Sequence, residues 1–220
     1  KTAAWRAERS TAWASPMLPW GELQRAIDYY EQALPISREQ RDRRGVGQTL
    51  VNLGSAHAYL GQLQRAIDYY EQALPILREV KDRRTEGITL HGLGSVYAHQ
   101  VDLERAIKAY EDSLEILRAL RDKREEGKVL GNLGEVYRQQ SHLERAAALY
   151  QQAIEIAKEY GDQITAASKL FNMGRLLEDR GRIAEAIAHF EEAHAIYARV
   201  GIKYWREQSE IALQRLRGKQ

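Results

Sequence analysis

The sequence predicts an all-α fold, a solenoid of antiparallel helix pairs closed by a C-terminal capping helix. Three observations predict it. Residues 21–40 (GELQRAIDYYEQALPISREQ) and 61–80 (GQLQRAIDYYEQALPILREV) are identical at 17 of 20 positions, and the same frame returns at 101–120, 141–160 and 181–200. Gly54, Gly94, Gly134 and Gly174 stand 40 residues apart, as do Ala66, Ala106, Ala146 and Ala186 and the series Tyr30, Tyr70, Tyr110, Tyr150, Phe190. A period of this length marks an array of supersecondary units, each too small to bury its apolar face alone. Within each period both halves space their apolar residues by three and four, the signature of amphipathic helices, and no alternating strand pattern of useful length occurs.

The elements follow in chain order. Residues 1–20 are expected to be irregular, a short helix and a loop, because Pro16 and Pro19 interrupt the span where a leading helix would lie. Trp5, Trp13 and Trp20 there read as a substitute cap or an anchor that docks elsewhere. The array proper is expected over 21–200, beginning with an unpaired second-half helix at 21–40. In each later period the first helix carries a stripe such as Leu50, Leu53, Ala56 or Leu90, Leu93, Val96, Tyr97. Asp42, Asp82, Asp122 and Asp162 precede these helices, where a short carboxylate can accept from free backbone N–H groups. The second helix repeats Leu63, Ala66, Ile67, Tyr70, Ala73, Leu74 and Leu77. Gly61 and Gly181 suit the left-handed residue that ends a helix; Val101 and Ser141 fill that column elsewhere, so a different closure is expected there. Gly54 and Ala66 are expected to face one another and let the paired helices approach closely. The tyrosine series reads as core wedges. Pro35 and Pro75 fall inside second-half helices and read as tolerated bends. Residues 201–220 supply the cap and tail: Trp205, Ala212 and Leu216 can cover the last pair while Arg206, Glu207, Glu210 and Arg215 face water.

Composition narrows the function. The 220 residues are 44% hydrophobic and 29% charged, with 33 basic and 31 acidic side chains and a net charge of +2. So balanced a chain attracts phosphate weakly, which argues against a nucleic-acid partner. The absence of cysteine excludes disulfides, thiolate metal sites and a cysteine nucleophile, and leads to the expectation of a reducing, cytoplasmic setting. No apolar run approaches the roughly 20 residues that span a bilayer, so no membrane role is expected. Lys1 in first position reads as a fragment or a processed chain.

Leu50, Leu53 and Gly54 with Ala66, Tyr70 and Ala73, on a 40-residue step, resemble the tetratricopeptide repeat, whose usual repeat is 34 residues. The longer step is similar to the subclass of kinesin light chains, polarity adaptors and bacterial signalling proteins, and Asp82-Arg83-Arg84 between periods is typical of the bacterial members. The resemblance covers about 21–200. It implies a right-handed superhelix with the first helices on its concave side, and a scaffold that binds proteins or peptides. His57 and Leu177, where the middle repeats have Tyr97 and Tyr137, depart from the pattern, as does Gly92 in place of Asn52, Asn132 and Asn172.

No catalytic signature appears. Gly45-Val46-Gly47-Gln48 lacks the lysine and strand of a phosphate-binding loop, and neither G-x-S-x-G nor H-E-x-x-H occurs. His91 and His99 share a helix face without an evident third ligand, and Glu111, Asp112 and Glu115 lie on a solvated face. No enzyme, metal or cofactor is expected.

The variation lies instead on the first-helix stripes, while the packing columns hardly change. Arg44, Gln48, Asn52, Ser55 and Tyr59 share one face. The equivalents are Arg84, Ile88, His91, Ser95 and His99, then Arg124, Lys128, Asn132, Glu135 and Gln139, and Ser168, Phe171, Asn172, Arg175 and Asp179. Asparagine amides suit the main chain of an extended peptide, the role the resemblance implies for Asn52, Asn132 and Asn172. Arg44, Arg84 and Arg124, joined by Lys128 and Arg138, suit an acidic or C-terminal peptide. Tyr59, His91, His99 and Phe171 offer flat apolar surfaces. Two readings follow: a scaffold holding an extended acidic peptide in its concave groove, or a regulatory or self-assembly domain of a larger bacterial signalling protein. Self-association through residues 1–20 or the array edges is compatible with either.

Overall fold

The computed structural model describes residues 20–218, apart from the side chain of Trp20. The expectation for residues 1–19 lies outside this range. Among the described residues ten helices follow one another: α1 (Trp20–Glu39), α2 (Arg43–Tyr59), α3 (Leu63–Glu79), α4 (Arg83–His99), α5 (Leu103–Ala119), α6 (Lys123–Gln139), α7 (Leu143–Glu159), α8 (Gln163–Asp179), α9 (Ile183–Val200) and α10 (Lys203–Arg217). No strand occurs among the described residues. The chain forms two compact units, residues 20–122 and 123–218. In the first, α2 pairs with α3 and α4 with α5, while α1 packs on α2; in the second, α6 pairs with α7 and α8 with α9, and α10 lies against α9. This is the layout of a tetratricopeptide-type α-solenoid. Pro35 and Pro75 lie inside α1 and α3, which run through them without a break.

Aspartates start the first helices as their position predicts. Asp42 accepts from the Gly45 amide (2.9 Å), Asp82 from Thr85 (3.1 Å) and Asp162 from Thr165 (3.0 Å), each satisfying a donor the helix leaves open. Asp102 does the same for α5, accepting from the Arg105 amide at 3.2 Å.

The helix ends correct one expectation. Val101 and Ser141 do not close their turns differently: both adopt the left-handed backbone (φ 61° and 62°), as do Gly61 (75°) and Gly181 (71°). The same geometry recurs at Arg41, Lys81, Arg121, Gly161 and Gly201, so a left-handed residue stands at every twentieth position. The residue after it donates back to the preceding helix, for example Gln62 N to His57 O and Asp102 N to Tyr97 O, at 2.9 and 3.0 Å. Capturing these orphan carbonyls outweighs the roughly 1 kcal/mol that a side chain costs in this conformation.

The glycine column also acts differently from the simple reading. Gly54 faces the ring of Tyr70 rather than Ala66 alone: a Cβ there would lie 2.7 Å from the ring. At Gly94 the distance to Tyr110 is 2.6 Å, and at Gly134 and Gly174 the distances to Tyr150 and Phe190 are both 2.9 Å. Each aromatic is thus a fully buried wedge seated on bare backbone, beside the equally buried Ala66, Ala106, Ala146 and Ala186. Tyr70 reaches past its own pair to α4, where a Cβ on Gly92 would stand 2.9 Å from its hydroxyl. That contact accounts for the glycine at 92 in the asparagine column.

At the C-terminal end α10 buries Ser209, Ala212, Leu213 and Leu216. Trp205 packs edge-on to Phe171 (5.5 Å) and Tyr204 (5.1 Å). The exposed Gln214 occupies the place in α10 that Gly54 and Gly174 occupy in their helices. A ring could not seat on bare backbone there as Tyr70 and Phe190 do over Gly54 and Gly174.

Candidate functional site

In the 20–122 unit the α2 stripe is mostly open. Arg44 and Gln48 are exposed, and Arg44 has no hydrogen-bonded or ion-pair partner among the described residues. The Gln48 Nε2 donates to the Asn52 Oδ1 at 3.2 Å. Ser55 donates to the Val51 carbonyl (3.0 Å) and shares a hydrogen bond with the Tyr70 hydroxyl (3.1 Å). Burial pushes the Tyr70 phenol up to about 12, with the Ser55 hydrogen bond acting in the opposite direction. Tyr59 is exposed at the end of α2.

On α4 the predicted set divides. Arg84 is exposed but donates to Asp122 at 2.8 Å. Ile88, His91 and His99 are half-buried, and His91 tilts against Tyr110 at 5.9 Å between ring centroids. Ser95 must be corrected. It is only 2% exposed, donates to the His91 carbonyl (3.1 Å) and accepts from the Tyr110 hydroxyl (3.0 Å). It belongs to the interior of the α4–α5 pair and offers no surface to a partner.

The 123–218 unit holds a polar cluster centred on Glu135. Glu135 accepts from Arg138 (2.8 Å) and from the Tyr150 hydroxyl (2.6 Å), and Arg138 also reaches Asp179 (3.3 Å). Burial alone would raise the Glu135 carboxyl; the Arg138 hydrogen bond and charge, the Tyr150 hydroxyl and the charge of Arg175 outweigh it and hold it below the usual carboxylate value. Tyr150 is raised well above the usual phenol value, by burial first and by the negative Glu135 second. Lys128 is half-buried and donates to Glu125 at 2.7 Å. Arg124, Gln139 and Arg175 are exposed, and Arg124 has no hydrogen-bonded or ion-pair partner among the described residues.

Asn132 is nearly buried, its Oδ1 accepting from the Lys169 Nζ at 3.0 Å. An ammonium can only donate, so Lys169 fixes the amide with its oxygen inward. Asn172 is half-buried in the next first-type helix. Phe171 is not a bare platform, since Phe190 and Trp205 both pack on it, at 5.1 and 5.5 Å.

Lys169 itself escapes a reading based on exposed stripes. Its side chain is 6% exposed, and burial lowers its ammonium from 10.5 to about 8 despite the opposing charge of Glu135. One signal was present. Thr49, Thr89 and Val129 hold its column in the other periods, and Gly131 stands where they have Val51 and His91. The two substitutions are coupled, because a Cβ on Gly131 would sit 2.3 Å from the Lys169 Cε. Among the described residues no group of three or more His, Asp or Glu side chains could hold a metal. None of the described helices is long and apolar enough to cross a membrane.

A family model for the tetratricopeptide repeat matches residues 21–79 and 85–159, and a second matches 167–200. The chain belongs to the tetratricopeptide repeat family. Members of this family generally act as non-catalytic scaffolds for protein partners. Among solved structures, BtubC (BKLC) from P. vanneervenii superposes with a TM-score of 0.68 at 19% identity, over 90% of this chain and 91% of that one. Kinesin light chain-like repeats from Podosopora anserina give 0.63 at 19% identity, over 82% and 89%. Aspartyl phosphate phosphatase F from Bacillus subtilis gives 0.79 at 18% identity; there 87% of this chain matches 51% of the other, so this array spans about half of that protein. At such identities these likenesses speak for the fold. No protein of curated function matches the sequence.

Proposed function

We propose that this tetratricopeptide array is a non-catalytic scaffold that holds an extended, acidic segment of a partner protein against the stripe of its first-type helices. The observation that carries the reading is an exposed guanidinium group in each unit, Arg44 in the first and Arg124 in the second, each without an acidic partner among the described residues. Most other cations on these stripes are engaged, Arg84 by Asp122, Lys128 by Glu125 and Arg138 by Glu135 and Asp179. Carboxylates of a partner would therefore be read chiefly by Arg44 on the first unit and by Arg124 on the second, each taken by itself, and guanidinium forks suit that task. Asn52 and Asn172 are partly open and supply amides for the partner's main chain.

The test is selection from a library of displayed random peptides, with an Arg44→Glu/Arg124→Glu variant as the comparison. Enrichment of acidic sequences that the variant no longer retains is expected. Enrichment without charge bias would remove the acidic ligand, and no enrichment would remove the groove. Asn132 is avoided as a mutation site because its truncation would strip Lys169 of its acceptor.

A second reading, a regulatory or self-assembly module of a larger signalling protein, draws support from the phosphatase F likeness, which covers only half of that chain. Binding between this array and the remainder of its own gene product, measured in solution, would favour it.

A further inference from the structure

One column sets the α8–α9 pair apart from the others. In three pairs the residue after the packing glycine meets the hydroxyl of the aromatic wedge: Ser55 meets Tyr70 (3.1 Å), Ser95 meets Tyr110 (3.0 Å) and Glu135 meets Tyr150 (2.6 Å). In α8 that residue is Arg175, and the wedge over Gly174 is Phe190, which carries no hydroxyl. Arg175 therefore has no such task inside its pair. It is exposed and has no hydrogen-bonded or ion-pair partner among the described residues, although its charge acts on Glu135.

Steps of three lead from Arg175 back to Asn172 and Lys169, so these residues are neighbours on the α8 surface. They descend from rim to floor: Arg175 is exposed, Asn172 half-buried and Lys169 only 6% exposed. The Asn172 amide has no hydrogen-bond partner among the described residues. Lys169 has three N–H donors and one described acceptor, the Asn132 Oδ1 of α6 at 3.0 Å. Charge points the same way. Arg138 bonds both Glu135 and Asp179, and Arg175 and Lys169 add two more cations beside them. Three cations thus stand against two carboxylates, leaving one positive charge unbalanced.

We infer that the seam between α6 and α8 is a carboxylate site, in which Asn172 and Arg175 donate to an Asp or Glu side chain of the partner segment and Lys169 supplies positive charge from beneath. The site rests on the acidic-segment reading above and gives the 123–218 unit a second contact besides Arg124. The surplus of one charge decides the ligand class: a carboxylate balances it, whereas a phosphoryl group near its dianionic state exceeds it. Burying an ammonium against one neutral acceptor is costly, and burial lowers Lys169 to about 8. An anion above it favours the charged form and offsets part of that cost. Thr49, Thr89 and Val129 hold the Lys169 column elsewhere, so the site belongs to this repeat alone.

Lys169 serves as the reporter. Its titration is followed by NMR in the full chain, with lysines isotopically labelled at Cε and the signal assigned by its loss in Lys169→Met. The probe is an acetylated, amidated hexaglutamate peptide at saturation, and its affinity is measured separately by calorimetry. Bound peptide is expected to lower the proton dissociation constant of Lys169 about tenfold. Arg175→Gln, at an exposed position, should abolish this response and weaken binding by about tenfold. Arg124→Glu should weaken binding but keep the response, because Arg124 stands eight residues before Asn132, roughly 12 Å along α6 and beyond a Debye length at physiological salt. Bound peptide with an unmoved Lys169 titration, or an undiminished response in Arg175→Gln, would overturn the seam site and leave the acidic scaffold standing. No binding by the parent chain would overturn both. A larger response when phosphoserine replaces one glutamate would assign the seam to phosphoryl groups and overturn the carboxylate.

Discussion

Placing a methyl group on Gly94 tests the central packing device of the array. The new Cβ would lie 2.6, 2.7 and 3.0 Å from Cδ1, Cε1 and Cγ of Tyr110. The ring has little room to retreat, because it is 2% exposed and its hydroxyl is held by Ser95 at 3.0 Å. Two effects oppose each other. Alanine is favoured over glycine inside a helix by roughly 1 kcal/mol, whereas overpacking a filled core costs about 1–3 kcal/mol. With contacts this short the upper part of that range applies, so Gly94→Ala is expected to destabilise by about 1–2 kcal/mol net. That corresponds to a fall of roughly 2–8 °C in Tm for a chain of this size. Gly94→Val adds a branched side chain to the same clash and should cost more. Urea titration followed by circular dichroism at 222 nm measures both. Gly21→Ala is the control, since nothing lies within 4 Å of a Cβ there; it should be neutral or slightly stabilising. Reducing the ring in Gly94→Ala/Tyr110→Leu should recover part of the loss relative to Tyr110→Leu alone, as contacting residues are non-additive. A Gly94→Ala protein as stable as the parent would refute the wedge-on-glycine reasoning.

Val101 is 72% exposed with φ 61°, so Val101→Gly should relieve backbone strain at the α4–α5 turn. Glycine's greater unfolded-state entropy offsets part of this, leaving about 0.5–1 kcal/mol of stabilisation, readable as a raised denaturation midpoint. Lys169 makes a pH prediction. Its folded pKa of about 8 lies below the ordinary 10.5, so unfolding takes up a proton between these values and this group's contribution to stability rises with pH across that window. Measured against Lys169→Met, the parent should gain roughly 2–3 kcal/mol between pH 7 and pH 10. The comparison stops at pH 10, since Tyr70 and Tyr150, both raised, act in the opposite direction above it. A constant difference between the two proteins would mean that the Lys169 ammonium is not desolvated.

The polar surface was less legible than the frame, for a reason visible in particular residues. Arg84 looks like a free cation in its stripe, yet its partner Asp122 is 38 residues away. Arg138 similarly reaches Asp179, 41 residues on. Ser95 has the spacing of a surface residue but lies under the Tyr110 hydroxyl. Spacing along one helix places a residue on a face; it does not say how closely the neighbouring helix approaches that face, nor which rotamer its long side chains adopt.

The sequence by itself determined the helices, their pairing, the capping aspartates and the aromatic, alanine and glycine columns. All of these depend on contacts within a helix or with its immediate neighbour, and the 40-residue repeat reports them again in each period. Tertiary structure alone decided which cations remain open, how Lys169 is buried over Gly131, and that Val101 and Ser141 close their turns as glycines do. Those outcomes turn on distances between neighbouring helices and on whether backbone hydrogen bonds at a helix end outweigh local strain, and neither quantity is written in residue spacing.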